Sequence, residues 1–249
     1  MKPRTVDYFL YTGQWLLDMV FPAHCLGCQT LTNARPQRYL CNSCERKISI
    51  RHSFECIGCK VVAPGGATCR LCVSANAVDQ LFIASHYQDP VLAQLLKTYK
   101  YQFVSDISHH LIRIIDKYIS WVRTKKDFSV FAENPLITAV PLHPYRQRWR
   151  GFNQAEILAK AIANQYQMNY ADVLTRKQIR EAQANLENRD ERIANLQGVF
   201  DCPDPASIQG RTIMLVDDIC TTGTTLNECA KVLKQNGARK VMALVVARG

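Results

Sequence analysis

Residues 212–225 read TIMLVDDICTTGTT, and the fold prediction begins from this stretch. Its first part, residues 212–216, is apolar and has the length of a buried strand. Two acids and a threonine-rich turn follow, and residues 225–236 then repeat apolar side chains at helical spacing up to Gly237. A buried strand that leads through a polar loop into a helix predicts an α/β unit with a ligand site in the loop, at residues 217–225.

The same alternation runs through most of the chain after residue 77. Short apolar runs of strand type are followed by segments with apolar residues three or four positions apart. Strands that alternate with helices predict a parallel sheet covered on both faces. We therefore predict an α/β fold with strands in 77–87, 136–140, 212–216 and 241–246, and helices at 90–101, 107–122, 155–166 and 225–236.

The loop at residues 217–225 has the composition of a phosphate-binding turn. Gly223 permits close approach of the backbone, threonine hydroxyls add hydrogen-bond donors, and the following helix presents free amides. Asp217 and Asp218 would repel a phosphate, so they suit sugar hydroxyls or a metal ion beside a diphosphate. Phosphoribosyl pyrophosphate (PRPP) combines a phosphate monoester, sugar hydroxyls and a diphosphate in one molecule. The alternative is an ordinary strand-to-helix turn in which a threonine caps the helix.

Eight of the 11 cysteines form four Cys-x-x-Cys pairs. The two-residue gap lets one turn aim both thiolates at a single ion, and two pairs complete the four-sulfur shell of a structural zinc site. We predict two zinc ions. Sharing of an ion by consecutive pairs is the simpler arrangement, and a cross-brace (first pair with third, second with fourth) stays open. The predicted ligands are Cys25, Cys28, Cys41, Cys44, Cys56, Cys59, Cys69 and Cys72.

Two other chemistries use paired cysteines. A disulfide framework needs an oxidising compartment, and the chain shows no secretory signal. Iron–sulfur clusters usually have different ligand spacing. No run approaches the about 20 apolar residues of a membrane span, and residues 6–20 have helical periodicity instead. We expect a cytoplasmic protein with an amphipathic helix near its N-terminus.

Residues 213–225 resemble the PRPP-binding signature of type I phosphoribosyltransferases: an apolar strand, an acid pair and a Thr-Thr-Gly-Thr-Thr turn. The resemblance implies that Asp217 and Asp218 hold the ribose hydroxyls and are the catalytic residues if the protein is an enzyme. It also implies that the 5′-phosphate is held by the turn, at Thr221, Thr222, Gly223, Thr224 and Thr225.

Further segments are similar to the ComF family. They are VPLHP at 140–144, RWRGFNQ at 148–154, Lys100-Tyr101, and a spaced pattern of residues between Gln183 and Phe200. With the cysteine pairs they cover nearly the whole chain in the family's order. The resemblance implies a zinc-containing, phosphoribosyltransferase-like protein associated with natural transformation, the uptake of DNA by competent bacteria.

This resemblance also implies a division into two domains. Residues 1–77 would form an N-terminal helix and a double zinc-ribbon domain. Residues 78–249 would form a type I phosphoribosyltransferase-like domain with a parallel sheet.

Three arginines lie in a predicted loop at residues 146–150. Arginine can grip a diphosphate in bidentate fashion, and the family motif implies Arg148 and Arg150 for this role. Lys100 would add a further positive charge, and Mg²⁺ would accompany the diphosphate. A solvated basic surface is the alternative. His143 is either a hydrogen-bond donor near the site or a structural histidine.

Charge and resemblance lead to two functional hypotheses. With 31 Lys+Arg and 21 Asp+Glu the formal net charge is +10, which favours an anionic partner. The preferred hypothesis is a PRPP-binding, zinc-containing competence protein that assists the handling of single-stranded DNA, with competence or recombination proteins as partners. Tyr145, Trp149 and Phe152 are interleaved with arginines, as stacking on single strands requires. The alternative is an active phosphoribosyltransferase acting on a nucleobase or related acceptor.

Overall fold

The computed structural model describes residues 22–32, 37–101, 105–125, 131–177 and 198–249. Its helices are α1 (Asn42–Lys47), α2 (Pro90–Tyr101), α3 (Ser108–Arg123), α4 (Pro144–Arg150), α5 (Gln154–Tyr166) and α6 (Thr224–Gln235). Its strands are β1 (Gln80–His86), β2 (Leu136–Ala139), β3 (Thr175–Arg176), β4 (Phe200–Asp201), β5 (Thr212–Cys220) and β6 (Lys240–Arg248).

Four strands form a parallel sheet in the order β1-β6-β5-β2. The central pair, β5 and β6, is in register from Thr212↔Lys240 to Cys220↔Arg248. β3 and β4 form a separate antiparallel pair. The predicted α/β fold with a parallel sheet is confirmed, and the carboxyl ends of the four strands lie at one edge of that sheet.

Two hydrophobic cores lie on opposite faces of the sheet, because successive side chains of a strand point to opposite sides. On β6, Leu244 belongs to the first core, whereas Ala243 and Val245 belong to the second. Helices α2, α3 and α5 cover the first core, and we call this side the α2–α3–α5 face. Helix α6 covers the second core, which we call the α6 face.

The chain before β1 covers the outer edge of that strand. Ile50 forms an antiparallel bridge with Ser85, and the Arg51 amide donates to the Ala84 carbonyl at 2.9 Å. Gly66 approaches β1 so closely, at a φ of +75°, that a Cβ would lie 2.2 Å from the Leu81 carbonyl oxygen. An uncovered edge strand is open to pairing with other chains, so this segment protects the sheet.

Strand β5 is longer than predicted. It runs to Cys220, because backbone pairing with β6 continues through Asp217↔Val245 and Ile219↔Ala247. The acid pair therefore lies inside the strand, and only residues 221–223 separate β5 from α6.

The basic segment predicted as a loop is instead helix α4. Pro144 occupies its first turn, where a missing amide costs nothing. His143 caps the helix by accepting a hydrogen bond from the Tyr145 amide at 3.2 Å, and Gly151 ends it in the left-handed conformation (φ 79°). The structure thus assigns His143 a structural role in capping.

Some predictions lie outside the described residues. These are the helix at residues 6–20 and most of the family-like pattern, from Gln183 to Leu196. Among the described helices, none is both long and apolar enough to cross a membrane.

Candidate functional site

The predicted ligand site lies at the carboxyl end of β5. A shallow pocket, open to solvent, is lined by Asp217 and residues 219–226. Gly223 precedes α6 with a φ of 82°, a conformation that glycine adopts without steric cost. The hydroxyl oxygens of Thr222 and Thr224 lie 2.8 Å apart across the turn. Since the first amides of a helix have no acceptor within it, the turn has the geometry of an anion-binding site.

The two acids have different surroundings. Asp217 lines the pocket, and its carboxylate accepts a hydrogen bond from the Asp218 amide at 2.8 Å. Burial, with the neighbouring Asp218 carboxylate, raises the pKa of Asp217 to about 8. Asp218 is buried, and its carboxylate lies 3.0 Å from Lys100 Nζ. A cation or a hydroxyl donor in the pocket would therefore stabilise the carboxylate form of Asp217.

Lys100 reaches the acid pair from the last turn of α2. Burial lowers its pKa, but Asp218 and then Asp217 outweigh this effect, so the pKa is raised and the group stays an ammonium. The preceding residue, Tyr99, is fully buried and donates to the Gln154 carbonyl at 2.9 Å. This hydrogen bond joins α2 to the start of α5 and holds Lys100 at the edge of the sheet.

The two arginines of α4 that match the family motif point to different sides of the helix, one buried and one exposed. Arg150 is buried; it donates to Gln154 Oε1 at 3.2 Å and lies 5.5 Å from the centroid of the Tyr101 ring. Its buried Nε has no hydrogen-bond partner among the described residues, which is costly unless a ligand accepts from it. Arg148 is exposed, because residues two apart on a helix point to different sides.

The eight paired cysteines form two clusters, and all 11 cysteines are free thiols. In each cluster the four sulfur atoms lie within 4.8 Å of one another. Consecutive pairs share a cluster, which confirms the simpler arrangement and excludes the cross-brace. The first cluster is Cys25, Cys28, Cys41 and Cys44, and the second cluster is Cys56, Cys59, Cys69 and Cys72.

The sulfur spacing fits a tetrahedral metal ion. Cys28 Sγ and Cys41 Sγ are 3.7 Å apart, as are Cys59 Sγ and Cys69 Sγ. Metal–sulfur bonds of about 2.3 Å in a zinc tetrahedron place the sulfurs about 3.8 Å apart. The Cys41 amide also donates to Cys25 Sγ at 3.4 Å, which stabilises negative charge on that sulfur. The donor set therefore suits a soft divalent cation.

The thiols of one cluster do not ionise alike. Hydrogen bonds from Thr30 lower the pKa of Cys28 to about 6. Burial, with the neighbouring thiols, raises the pKa of Cys44 to about 12. In the second cluster, the neighbouring thiols, Cys69 first, raise the pKa of Cys72 to about 12. One thiolate disfavours the next, so ionisation of all four sulfurs near neutral pH requires a bound cation.

The clusters contain a local repeat that the sequence analysis missed. HCLGCQTL at residues 24–31 and ECIGCKVV at 55–62 form the same turn. Each is closed by an antiparallel bridge between its end residues. Gln29 and Lys60, which follow the second cysteine of each turn, both have a φ of 63°. Comparing the two segments would have predicted equivalent metal turns.

A glycine precedes the second cysteine of each turn because the opposite pair of cysteines comes close. A Cβ at Gly27 would lie 2.8 Å from Cys44 Sγ, and a Cβ at Gly58 would lie 2.8 Å from Cys72 Sγ. Any side chain at these positions would displace a ligand sulfur.

Each cluster also has a buried glutamate beside a ligand cysteine. Glu45 lies 2.8 Å from His110 Nδ1 of α3, and Glu55 accepts from Arg248 Nη1 of β6 at 2.8 Å. All four residues are buried. The partners are 65 and 193 positions apart in sequence, so no local pattern could have revealed them.

Comparisons with known proteins agree with this organisation. Residues 152–249 match the family model of the phosphoribosyl transferase domain. The chain is 28% identical over 226 residues to Competence protein F of Haemophilus influenzae, with 90% of each chain covered. It is 28% identical over 211 residues to DNA utilization protein YhgH of Salmonella typhimurium, covering 84% of this chain and 90% of that protein. It is 35% identical over 109 residues to Competence protein ComFC of Streptococcus pneumoniae, covering 44% of this chain and 46% of that protein.

A solved purine phosphoribosyltransferase from Pyrococcus horikoshii is similar with a TM-score of 0.28 and 12% identity, over 56% of this chain and 80% of that chain. At this TM-score the likeness adds nothing to the fold, which follows from the parallel sheet and the domain match. Two four-cysteine clusters that precede a segment matching the phosphoribosyl transferase domain, with similarity to Competence protein F across 90% of the chain, support the resemblance to the ComF family.

Proposed function

We propose that this chain binds PRPP with Mg²⁺ at the carboxyl end of β5. The observation that carries the proposal is the meeting of three kinds of group at one sheet edge. These are the anion-binding turn at residues 221–225, the acid pair, and two cations, the half-buried Lys100 and the buried Arg150. A simple phosphate would make no use of the carboxylates. A monoester, two hydroxyls and a diphosphate on one sugar match all three groups.

Each group has a separate role in this proposal. The turn at residues 221–225 holds the 5′-phosphate, and Asp217 and Asp218 hold the ribose hydroxyls. Lys100 and the unpaired Nε of Arg150 face the diphosphate, while Arg148 adds charge from the solvent side. Mg²⁺ prefers oxygen ligands and would be held mainly by the diphosphate.

Calorimetry tests PRPP binding. Titration of PRPP with Mg²⁺ into the full chain should give a binding heat. In the Asp217→Asn/Asp218→Asn double variant, loss of two hydrogen bonds to charged groups, about 1.5–3 kcal/mol each, weakens binding by a factor on the order of 100 or more. Glu156→Gln, which removes a half-buried carboxylate on α5 that pairs with Lys160, is the matched control. Absence of heat with the unaltered chain, or equal affinity in the double variant, would refute the proposal.

We also propose that each cysteine cluster holds one structural zinc ion. Four sulfurs at tetrahedral spacing leave no open position for a substrate. Thiols that stay reduced suit the cytoplasm, where disulfides are rare. Metal analysis of the purified chain should give two zinc ions per chain, and one or none would contradict this assignment.

The biological role that we propose is participation in competence by handling single-stranded DNA. Relatives that match most of the chain are named for competence and DNA utilization. Helix α4 exposes Tyr145 (63%) and Trp149 (56%) beside the exposed Arg146 and Arg148. Stacking of one base on an aromatic ring contributes about 1–3 kcal/mol and needs no particular sequence.

Filter binding of a single-stranded oligonucleotide across a salt series tests this role. The Tyr145→Ala/Trp149→Ala variant should bind at least about 30-fold more weakly, since two contacts of about 1 kcal/mol or more are lost, while keeping the salt slope. Leu71→Ala, which removes the most exposed of the large apolar side chains at 92%, is the control. Equal binding by the aromatic variant and the unaltered chain would place any DNA contact elsewhere.

A second candidate is phosphoribosyl transfer to a nucleobase or related acceptor. The acid pair favours it, because carboxylates beside the sugar would stabilise positive charge that develops as diphosphate leaves. An assay of diphosphate release with a panel of bases separates the two functions. Release that depends on one base supports the transferase; PRPP binding without release supports the binding role.

A further inference from the structure

We propose that the metal ion in the second cluster positions the phosphate-binding turn, so that metal binding there and phosphate binding at residues 221–225 are thermodynamically coupled. The first cluster has no such effect. This inference rests on the proposed function for its ligand. The residues that transmit the coupling are positioning residues: Ile57, Arg248 and Lys60.

The most direct contact joins the first turn of the second cluster to the phosphate-binding turn. Ile57 lies between the ligand Cys56 and Gly58 and is fully buried in the core of the α6 face. A Cβ at Gly223 would lie 2.9 Å from Ile57 Cγ1. The backbone of the phosphate-binding turn therefore rests on a side chain whose position is fixed by a neighbouring metal ligand.

A buried arginine connects the same cysteine turn to the strand beside the ligand site. Arg248, at the end of β6, donates to the carbonyls of Cys56 at 3.1 Å and Ile57 at 2.5 Å, and to Glu55 at 2.8 Å. Arg248 is also in register with Cys220, the last residue of β5 before the phosphate-binding turn. An arginine buried at 3% exposure has no solvent to replace lost partners.

Two further contacts hold the ends of the turn. Lys60, next to the ligand Cys59, donates to the Gly249 main-chain oxygen at 3.0 Å, and the Gly249 amide donates to the Cys220 carbonyl at 3.1 Å. Asn227, in the first turn of α6, accepts from the Ala77 amide at 2.6 Å, just after the last cysteine pair. Contacts from the second cluster and the segment after it therefore reach Cys220 before the turn, Gly223 within it and Asn227 in the helix that follows.

The first cluster lies against the other face of the sheet. Cys25 and Cys44 belong to the core of the α2–α3–α5 face. A Cβ at Gly27 would come within 3.4 Å of Val91 of α2, and Glu45 is bound to His110 of α3. None of these contacts reaches residues 221–225, so the first cluster is the internal reference for the second.

Coupling between two sites is reciprocal. If the metal in the second cluster favours the ligand-binding shape of the turn, PRPP must raise the affinity of that cluster for the metal by the same factor. Couplings between sites in proteins are typically about 5- to 150-fold in affinity. The exposed ligands Cys28 and Cys59 occupy equivalent positions, and their serine variants allow each ion to be lost separately.

Hydrogen exchange of the backbone amides measures how well the turn at residues 221–225 is ordered in the absence of ligand. In Cys59→Ser, with one ion lost by metal analysis, the amides of residues 221–226 should exchange faster than in the unaltered chain. In Cys28→Ser, also with one ion lost, faster exchange should be confined to the first cluster and α2. Unchanged exchange of residues 221–226 in Cys59→Ser would overturn the proposal.

A variant that keeps every metal ligand tests the coupling without the misfolding that loss of an ion could cause. Ile57→Ala should keep both ions. Its thermal midpoint should fall further than that of Leu26→Ala, the counterpart in the first cluster, because Ile57 is fully buried and Leu26 is half-buried. PRPP affinity should fall by about 5- to 150-fold in Ile57→Ala, remain unchanged in Leu26→Ala, and recover in Ile57→Val. Equal PRPP affinity in Ile57→Ala and Leu26→Ala would overturn the proposal.

The two proposals fail in different ways. If PRPP gives no heat with the unaltered chain, the proposed function fails, and the exchange comparison of Cys59→Ser with Cys28→Ser still decides whether the metal positions the turn. If PRPP binds but both Cys59→Ser and Ile57→Ala bind it as tightly as the unaltered chain, the coupling alone is refuted.

Discussion

The two cysteine clusters have the same ligands, the same turn and one buried glutamate each, but they contact different parts of the α/β unit. The first packs on the α2–α3–α5 face and binds α3 through Glu45. The second packs on the α6 face and places Ile57 against the turn at residues 221–225. The comparison shows that one and the same cysteine turn can pack on different faces of an α/β unit. What a metal ion in such a turn would stabilise therefore depends on the segment that the turn contacts.

Removal of both metal ions should have the largest effect. Structural zinc sites of this kind supply on the order of 10 kcal/mol of folding free energy each. A strong chelator should therefore remove hydrogen-exchange protection from residues 22–32 and 37–76, while the core strands β5 and β6 keep theirs. Retention of protection around both clusters after complete metal removal would contradict the assignment of structural sites.

Removal of Glu55 should lower the free energy of unfolding more than removal of Glu45. Glu55→Ala leaves Arg248 buried and charged, because an arginine does not deprotonate in proteins. We expect a loss of about 3–5 kcal/mol in the free energy of unfolding. Glu45→Ala leaves His110 and the solvent-accessible cations Arg113 and Lys117, which water can solvate, so the expected loss is about 1–3 kcal/mol. Urea unfolding of both variants measures the difference.

The matched amides provide the control for this comparison. Glu55→Gln and Glu45→Gln keep a hydrogen-bond acceptor and should recover part of each loss. A larger cost for Glu45→Ala than for Glu55→Ala would show that the buried charge of Arg248 does not dominate the second cluster.

Alanine in place of either close glycine should weaken metal binding equally. The added Cβ at Gly27 or Gly58 would lie 2.8 Å from a ligand sulfur. Displacing a ligand should reduce metal affinity by about 10- to 100-fold, as loss of orienting contacts does at other sites. Competition with a chromophoric chelator measures both affinities. Unequal losses would mean that the two turns are not equivalent.

The dependence of PRPP binding on pH should distinguish the ligand site from both clusters. The pKa of Asp217 is raised to about 8, so the free carboxyl is mostly protonated at pH 7. A ligand that favours the carboxylate releases this proton, and affinity should rise by about tenfold from pH 7 to pH 9. Asp217→Asn should abolish the rise, and metal content should stay constant. Calorimetry in two buffers measures the released proton.

Much of this architecture is predictable from local patterns. Strand–helix alternation predicts the parallel α/β sheet, and Cys-x-x-Cys spacing predicts the eight cysteines that form the two four-sulfur clusters. The end of β5 was predicted too early because Asp217 and Asp218 are polar, whereas pairing with β6 continues the strand to Cys220. The segment Pro144–Arg150 is short and has no apolar periodicity, so its sequence predicts a loop where the structure has a helix.

Contacts between distant segments could not be predicted in the same way. Arg248 is an ordinary basic residue at the end of an apolar run in the sequence, and only the fold brings it to Glu55 and Ile57. The separation of Arg148 from Arg150 likewise depends on the helix that contains both. Four cysteine pairs can be grouped two by two in three ways, and the three-dimensional positions of the sulfurs select the consecutive grouping.

A crystal structure of the metal-replete chain with PRPP and Mg²⁺ tests the central claim most directly. We predict the monoester phosphate on the amides of residues 221–225, the sugar hydroxyls at Asp217 and Asp218, and the diphosphate toward Lys100 and Arg150. Density for the sugar phosphate at another position, or an empty β5 edge at saturating ligand, would contradict the account.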